Sequence, residues 1–417
     1  MDTVDLARLQ FALTAGAHFL FVALTLGLAT LVAVIQTRAT IGRSPVHLGM
    51  TRFWGQLYII NYAMGIVTGL VMEFQLGMAW SGLAEFAGNA FGSALALETM
   101  IAFFVESTFL GLWIFGWDKL NRWAHLAVIW VVTLTAYASA FWIMVANGFL
   151  QNPVGYRFDG HALHVTDFGA MVANPAATVA LGHVLGGALM VGGFFMAGVS
   201  AYHLFRRTPD QDFFRKSLRI GVGVALPATI VTATFGGMGF QTLQPGKLAA
   251  WTRDAELAAQ VQAEMTALHG PGDYLPPVGW VQGGALTMLI LFAIMLFLSG
   301  ANVLLMLARP VVHRFRAWHV LLIAAIPLPF GAMLGGWVFR EMGRQPWAVY
   351  GLLTTEDAMS PVSEGTMRFS LVAFTAVFAV LVVINFWLLA RAARRGPAGV
   401  ALGARPAEKK PEPVPAF

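Results

Sequence analysis

Apolar side chains in this chain come in long continuous blocks of about twenty residues, the length that crosses a hydrocarbon core. Breaks rich in Pro, Gly or charge separate nine such blocks, near residues 13–35, 56–79, 94–116, 125–147, 180–202, 218–243, 284–307, 319–341 and 369–390. The pattern predicts an all-α polytopic membrane protein with nine transmembrane helices. Because the blocks recur along the whole chain, neither a removable leader nor a single anchor accounts for them.

Composition sharpens this picture. Of 417 residues, 58% belong to the hydrophobic set and 11% are charged, too few charges for an ordinary soluble domain. A formal net charge of +5 would suit nucleic acid in a soluble protein, but its distribution has a membrane explanation and no nucleic-acid partner is expected. The connections around 36–55, 117–124, 203–217 and 308–318 contain or adjoin RxxxxR, DKLNR, RRxxxxxxxRKxxxR and RPxxxRxR, while the alternate connections are poorer in Lys and Arg. Placing the basic connections in the cytoplasm sets 19 of the 26 basic residues inside and 7 outside, or 13 against 7 without the carboxyl-terminal tail. The amino terminus is therefore expected outside and the carboxyl terminus cytoplasmic.

Residues 1–395 read as one transmembrane domain, and 396–417, rich in Pro and charge, as a disordered cytoplasmic tail. The connections 148–179 and 244–283 fall outside the membrane. The second holds a charged, Ala-rich stretch, Trp251–His269, before a Pro/Gly break, which predicts an amphipathic helix followed by a turn. Many Gly and Ala positions supply small contact faces between helices. No internal repeat points to an inverted-repeat transporter.

The chain has no cysteine, which excludes disulfides, iron–sulfur clusters, thiolate-bound metals and covalent haem attachment through CxxCH. Any metal or haem must use His, Met, carboxylate or another non-thiolate group. His18, Glu73, Glu98, Glu106 and His183 lie within apolar blocks, where such groups normally face a protein interior, a water path or a cofactor. His18 in LTAGAHFLFVALTLG and His183 in VALGHVLGGALMVGG either ligate haem iron, with nearby Gly and Ala leaving room for a flat macrocycle, or bond between helices. Glu98 and Glu106, eight residues apart, share a helix face at different depths; they bind iron, carry protons or make an internal polar contact. Glu73 is inward-facing or interfacial, and the methionines need no redox role. FREMGRQPW gathers Arg340, Glu341, Arg344, Gln345 and Trp347, which either fix carboxylates or propionates beneath a closing Trp or anchor the interface.

The stretches LARLQFALTAGAHFLFVALTLG, RFWGQLYIINYAMGIVTGLVMEFQLG, ALETMIAFFVESTFLGLWIFGWDKL, VANGFLQNP and GRQPW together resemble subunit I of the cytochrome bd quinol oxidases, in order over all but the tail. The resemblance implies a quinol:oxygen oxidoreductase of the bacterial cytoplasmic (inner) membrane, passing electrons from membrane quinol through haem to oxygen and taking protons from the cytoplasm. It implies haem b together with haem d or a second high-spin haem, a subunit II-like membrane partner, and a small single-span subunit as a further partner.

By the same resemblance, His18 ligates a high-spin haem, His183 ligates the low-spin haem, and Glu98 contacts the oxygen-reactive haem. Glu106, Ser107 and Asp118 belong to a cytoplasm-facing proton route. Arg8, Arg340 and Arg344 support carboxylates or propionates, with Trp347 beside them, and Lys247 in QPGKLAAW marks the outside quinol loop within 244–283.

Three places depart from the family pattern. Thr252 stands where a Glu follows the Lys, with Asp254 and Glu256 shortly after it. Gly284, in GWVQGGALTM, stands where the low-spin haem's methionine is expected, and Met288 lies about 6 Å further along a helix. Leu334 and Phe330, in IPLPFGAMLGGW, stand for the high-spin haem's glutamate and its neighbouring Trp. These departures imply a divergent quinol oxidase, or else a related haem-containing redox or oxygen-binding subunit that uses another donor or assists a standard paralogue. A solute transporter or membrane scaffold is the reading of a different class, which stoichiometric haem would oppose.

Overall fold

In the computed structural model, which describes residues 2–308, 312 and 314–403, the apolar blocks become helices whose ends are set by caps rather than by where hydrophobicity stops. Helix α1, Thr3–Gly42, begins where the Asp2 carboxylate accepts the Asp5 N–H at 2.7 Å and ends at Arg43 in the left-handed conformation. Ser44 and Pro45 then start α2, Pro45–Ala79, so the chain reverses within two residues. At about 1.5 Å rise per residue, the 40 residues of α1 span roughly twice the hydrocarbon core, and its ends project beyond it.

Among the described residues, nine segments are long and apolar enough to cross a membrane, in the order the sequence predicts. After α1 and α2, the third joins α3, Ser81–Leu97, through a π-helical turn, Glu98–Phe103, to α4, Phe104–Phe115. Then come α5, Arg122–Gln151, capped by Asn121; a short α6, Phe168–Val172, leading into α7, Pro175–Arg206; and α8, Gln211–Gln241. The remaining spans are α11, Val278–Leu307; the pair α12, Arg316–Ala324, and α13, Leu328–Met342; and α14, Glu364–Arg395. The eighth span is broken where Pro327 and Pro329 deny the helix backbone N–H donors.

The long connections are structured. Residues 148–179 contain an antiparallel hairpin of β1, Tyr156–Phe158, and β2, Leu163–Val165. In 244–283 the expected single amphipathic helix is two, α9, Pro245–Thr252, and α10, Ala255–His269, parted by Arg253 at φ 58° and restarted by the Asp254 cap. A second hairpin, β3, Trp347–Val349, and β4, Leu353–Thr354, follows α13.

Helix α7 sits at the centre of the bundle, and small residues allow it. A Cβ built on Gly27 of α1 would lie 2.2 Å from the Ala188 carbonyl oxygen, and one on Gly193 would lie 2.9 Å from that of Gly221 in α8. Backbones therefore touch at these crossings, as small-residue packing in lipid requires. Beyond α14, Leu402 is buried and the Ala401 N–H donates to Gln56 Oε1 at 2.7 Å. The rest of the expected tail, 404–417, lies outside the described residues, as do Arg309, Pro310, Val311 and His313 of the basic connection 308–318.

Candidate functional site

Helices α1, α2, α3, α4, α5, α7, α8, α9, α11 and α13 line, with the π turn, a mostly apolar cavity of about 1600 Å³. That exceeds the roughly 300–1,000 Å³ of a pocket for one ordinary ligand. Both singled-out histidines line it, and in each the ring is pinned by its Nδ1 atom. His183 Nδ1 lies 2.9 Å from the Thr232 carbonyl oxygen; a carbonyl can only accept, so Nδ1 carries the proton. His18 Nδ1 lies 2.9 Å from Thr68 Oγ1, whose own hydrogen is directed to the Met64 carbonyl at 2.8 Å. His18 Nδ1 is therefore also the donor. Each Nε2 is left with a bare lone pair and no partner among the described residues, the state in which imidazole ligates iron.

The acidic groups lie along the same chamber. Glu98 opens the π turn and accepts a hydrogen bond from the Ser139 hydroxyl. Thr99 Oγ1 stands between Glu98 at 3.4 Å and Glu73 at 2.6 Å, so one hydroxyl bridges two carboxylates. Glu106 is buried, and its Oε1 has no protein partner; neither do Ser107 Oγ, Tyr58 Oη and Tyr62 Oη. Tyr62 faces Glu106 and Ser107. Buried polar atoms gathered without partners suit ordered water. Asp118 is exposed in the turn after α4, away from the cavity wall.

At the opposite end of the chamber the charges do not balance. Lys247, Arg340 and Arg344 line the cavity together with Glu341, and Arg8 lines it together with Asp5, 3.9 Å away. Arg344 Nη2 pairs with Glu341 at 2.6 Å, while Arg340 Nε donates to Asn147 Oδ1 at 2.7 Å and Nη2 to the Ala176 carbonyl at 2.9 Å. The buried Nε atoms of Arg344 and of Arg8, another cavity residue, have no acceptor. Buried cations in excess call for anionic partners, and haem propionates are such partners. Among the described residues no three His, Asp or Glu side chains cluster as a metal site. On these grounds the residues present fit haem.

Lys247 is 4% exposed. Burial, helped by the nearby Arg340 charge, pushes its ammonium down to about 7. Its stem crosses Gly343, where a Cβ would meet Lys247 Cε at 2.3 Å, so the Gly of GRQPW makes room for the Lys of QPGK. No carboxylate of the loop pairs with Lys247 among the described residues: Asp254 caps α10, and Thr252 Oγ1 donates to the Leu248 carbonyl. Trp347 does not line the cavity; it stacks on Tyr274 at 5.5 Å and meets His269 at 4.9 Å, clasping the loop.

The two departures within the spans have packing explanations. A Cβ on Gly284 would lie 2.6 Å from the Phe339 backbone nitrogen and 2.8 Å from the Gly335 oxygen, so α11 and α13 cross there with no room for a side chain. Met288 and Met333 are among the thioethers lining the cavity, and the Met333 sulfur would lie 3.3 Å from a Cβ on Gly187, one turn beyond His183. Leu334 packs toward Gly16 and Phe330 against Phe386. The carboxylate that reaches the cavity from this helix is Glu341, seven residues and two turns beyond Leu334. Its helical spacing within FREMGRQPW was the available signal. Asn147 and Gln151 lie in VANGFLQNP, one of the stretches that carry the family resemblance, but as neutral amides at the end of an apolar block they look like a boundary and give no chemical signal of their own.

The chain matches the family model for cytochrome bd terminal oxidase subunit I over residues 6–271 and 255–397. It is 36% identical to cytochrome bd ubiquinol oxidase subunit 1 of Bacillus subtilis (strain 168), over 95% of this chain and 94% of the relative. Identity to cytochrome bd-II ubiquinol oxidase subunit 1 of Escherichia coli (strain K12) is 30%, over 96% and 98%. The bd oxidase structure from Geobacillus thermodenitrificans superimposes with a TM-score of 0.83 at 25% identity, covering 95% of this chain and 99% of that one.

Proposed function

The chain belongs to the cytochrome bd terminal oxidase subunit I family, and on that premise we propose that its cavity is the haem chamber of a membrane quinol:oxygen oxidoreductase. As subunit I of a bd-type terminal oxidase, it oxidises quinol and reduces oxygen. The observation that carries the chamber's assignment is the pair of histidines with Nδ1 pinned and Nε2 bare, lining one cavity beside uncompensated cations.

His183 holds the low-spin haem and His18 a high-spin haem, with Glu98 beside the oxygen-reactive group. When bound, haem b and haem d or a second high-spin haem supply the iron that carries electrons to oxygen. Arg8, Arg340 and Arg344 anchor propionates, and Lys247 meets a quinol oxygen at the loop α9–α10. Glu106, with Ser107 and Tyr62, passes protons toward Glu98 along a hydrated path that Asp118 feeds from the cytoplasm. The basic turns face the cytoplasm and the loop side faces outward, following the charge bias. The apolar faces of the outer spans adjoin a subunit II-like protein, and a small single-span subunit completes the assembly.

The test is to express the chain with its partner subunit and compare His18→Ala and His183→Ala with wild type. Each variant is expected to lose a different haem signal from the reduced-minus-oxidised spectrum, and both to lose quinol-driven oxygen uptake. Unchanged haem content and spectra in both variants would refute the assignment.

A further inference from the structure

One neutral side chain joins the loop to the cavity wall. Gln151, the last residue of α5, is 2% exposed. Its Oε1 accepts from Lys247 Nζ at 3.2 Å and from Gln244 Nε2 at 3.1 Å. Its Nε2 donates to the Arg340 carbonyl at 3.3 Å and to Glu341 Oε1 at 3.4 Å. Its own backbone carbonyl accepts Gln244 Nε2 at 2.6 Å. One turn earlier, Asn147 repeats the arrangement: Nδ2 donates to Glu341 Oε1 at 2.9 Å and Oδ1 accepts from Arg340 Nε.

We propose that Gln151 is the positioning residue of the quinol site, holding the Lys247 ammonium at the cavity wall and keeping it apart from Glu341. The inference rests on the reading of Lys247 as a quinol contact. Its chemical content lies in what an amide does that a charge cannot. A direct Lys–Glu pair would satisfy both groups with each other. The interposed amide takes one ammonium hydrogen and gives one hydrogen to the carboxylate, so both stay fixed with capacity left over. Among the described residues Lys247 makes no other hydrogen bond, and an ammonium has three donors. Two remain for an uncharged or singly deprotonated hydroquinone oxygen.

The experiment uses the complete complex with a soluble hydroquinone, comparing wild type, Gln151→Leu, Gln151→Glu and Lys247→Met. Haem spectra, and oxygen uptake driven by a small artificial reductant, serve as readouts that bypass the quinol site. Gln151→Leu is expected to raise the hydroquinone KM about tenfold or more, the size of one charge-assisted hydrogen bond, with kcat and artificial-donor uptake within about twofold. Gln151→Glu, which can pair with Lys247 directly, is expected to raise KM as well and to abolish the dependence of KM on pH near 7. An unchanged KM and pH profile in both Gln151 variants, while Lys247→Met raises KM, would overturn the positioning role alone. If Lys247→Met also leaves KM unchanged, the quinol-loop reading falls with it. Parallel loss of haem absorbance and artificial-donor uptake in the Gln151 variants would show a structural role and overturn the proposal.

Discussion

His183 on α7 donates from Nδ1 to the Thr232 carbonyl of α8 at 2.9 Å, and Gly236, one turn beyond Thr232, closes against the same ring. A Cβ at Gly236 would lie 2.9 Å from both Nδ1 and Cε1 of His183. The imidazole is thus held between a hydrogen bond and a backbone that tolerates no side chain.

Gly236→Ala should therefore displace the ring and lower haem occupancy at His183, while the chain still reaches the membrane. Gly223→Ala, in the same helix with nothing within 4 Å of the new methyl, is the control and should keep full occupancy. Haem-to-protein ratio in the purified complex measures both.

Restoring the family's methionine should fail. In Gly284→Met the new side chain would start 2.6 Å from the Phe339 nitrogen, forcing α11 and α13 apart at a cost of at least about 1–3 kcal/mol. The complex should melt earlier without gaining a six-coordinate low-spin signal. A gained signal with unchanged melting would show that the crossing yields.

Glu106→Gln keeps the shape of the side chain but removes its capacity to take up a proton. Quinol-driven oxygen reduction should fall about 10²-fold with haem spectra intact, and the solvent deuterium isotope effect should rise as proton delivery becomes limiting. Glu106→Asp should recover part of the rate.

Lys247 carries a pH signature. Its ordinary value of 10.5 is lowered by burial to about 7. Below pH 7 the ammonium is charged in both folded and unfolded chains, and the burial cost is present in full. Between 7 and 10.5 the folded chain has shed a proton that the unfolded chain keeps, so the cost fades as pH rises. Lys247→Met should thus raise the melting temperature most at or below pH 7, with the gain shrinking toward pH 10.5, while hydroquinone turnover at saturating oxygen falls about tenfold or more. Melting curves across that range decide it.

The nine spans found among the described residues, and their order, were legible in the sequence because lipid leaves little freedom: a block of apolar residues long enough to cross must form a helix that satisfies its own backbone. His18, His183, Glu98 and Glu106 stood out for the same reason, since polar groups are costly there. Tertiary structure decided the rest. Lys247 and Gln151 lie 96 residues apart yet share a hydrogen bond, and no local pattern could pair them. Gly284 looked like a lost ligand because the family resemblance expects a methionine there; that another helix's backbone approaches to 2.6 Å of a Cβ at this position was visible only in the tertiary structure. Hydrophobic periodicity is a property of one segment and its solvent, whereas a site made of several helices depends on how their faces meet.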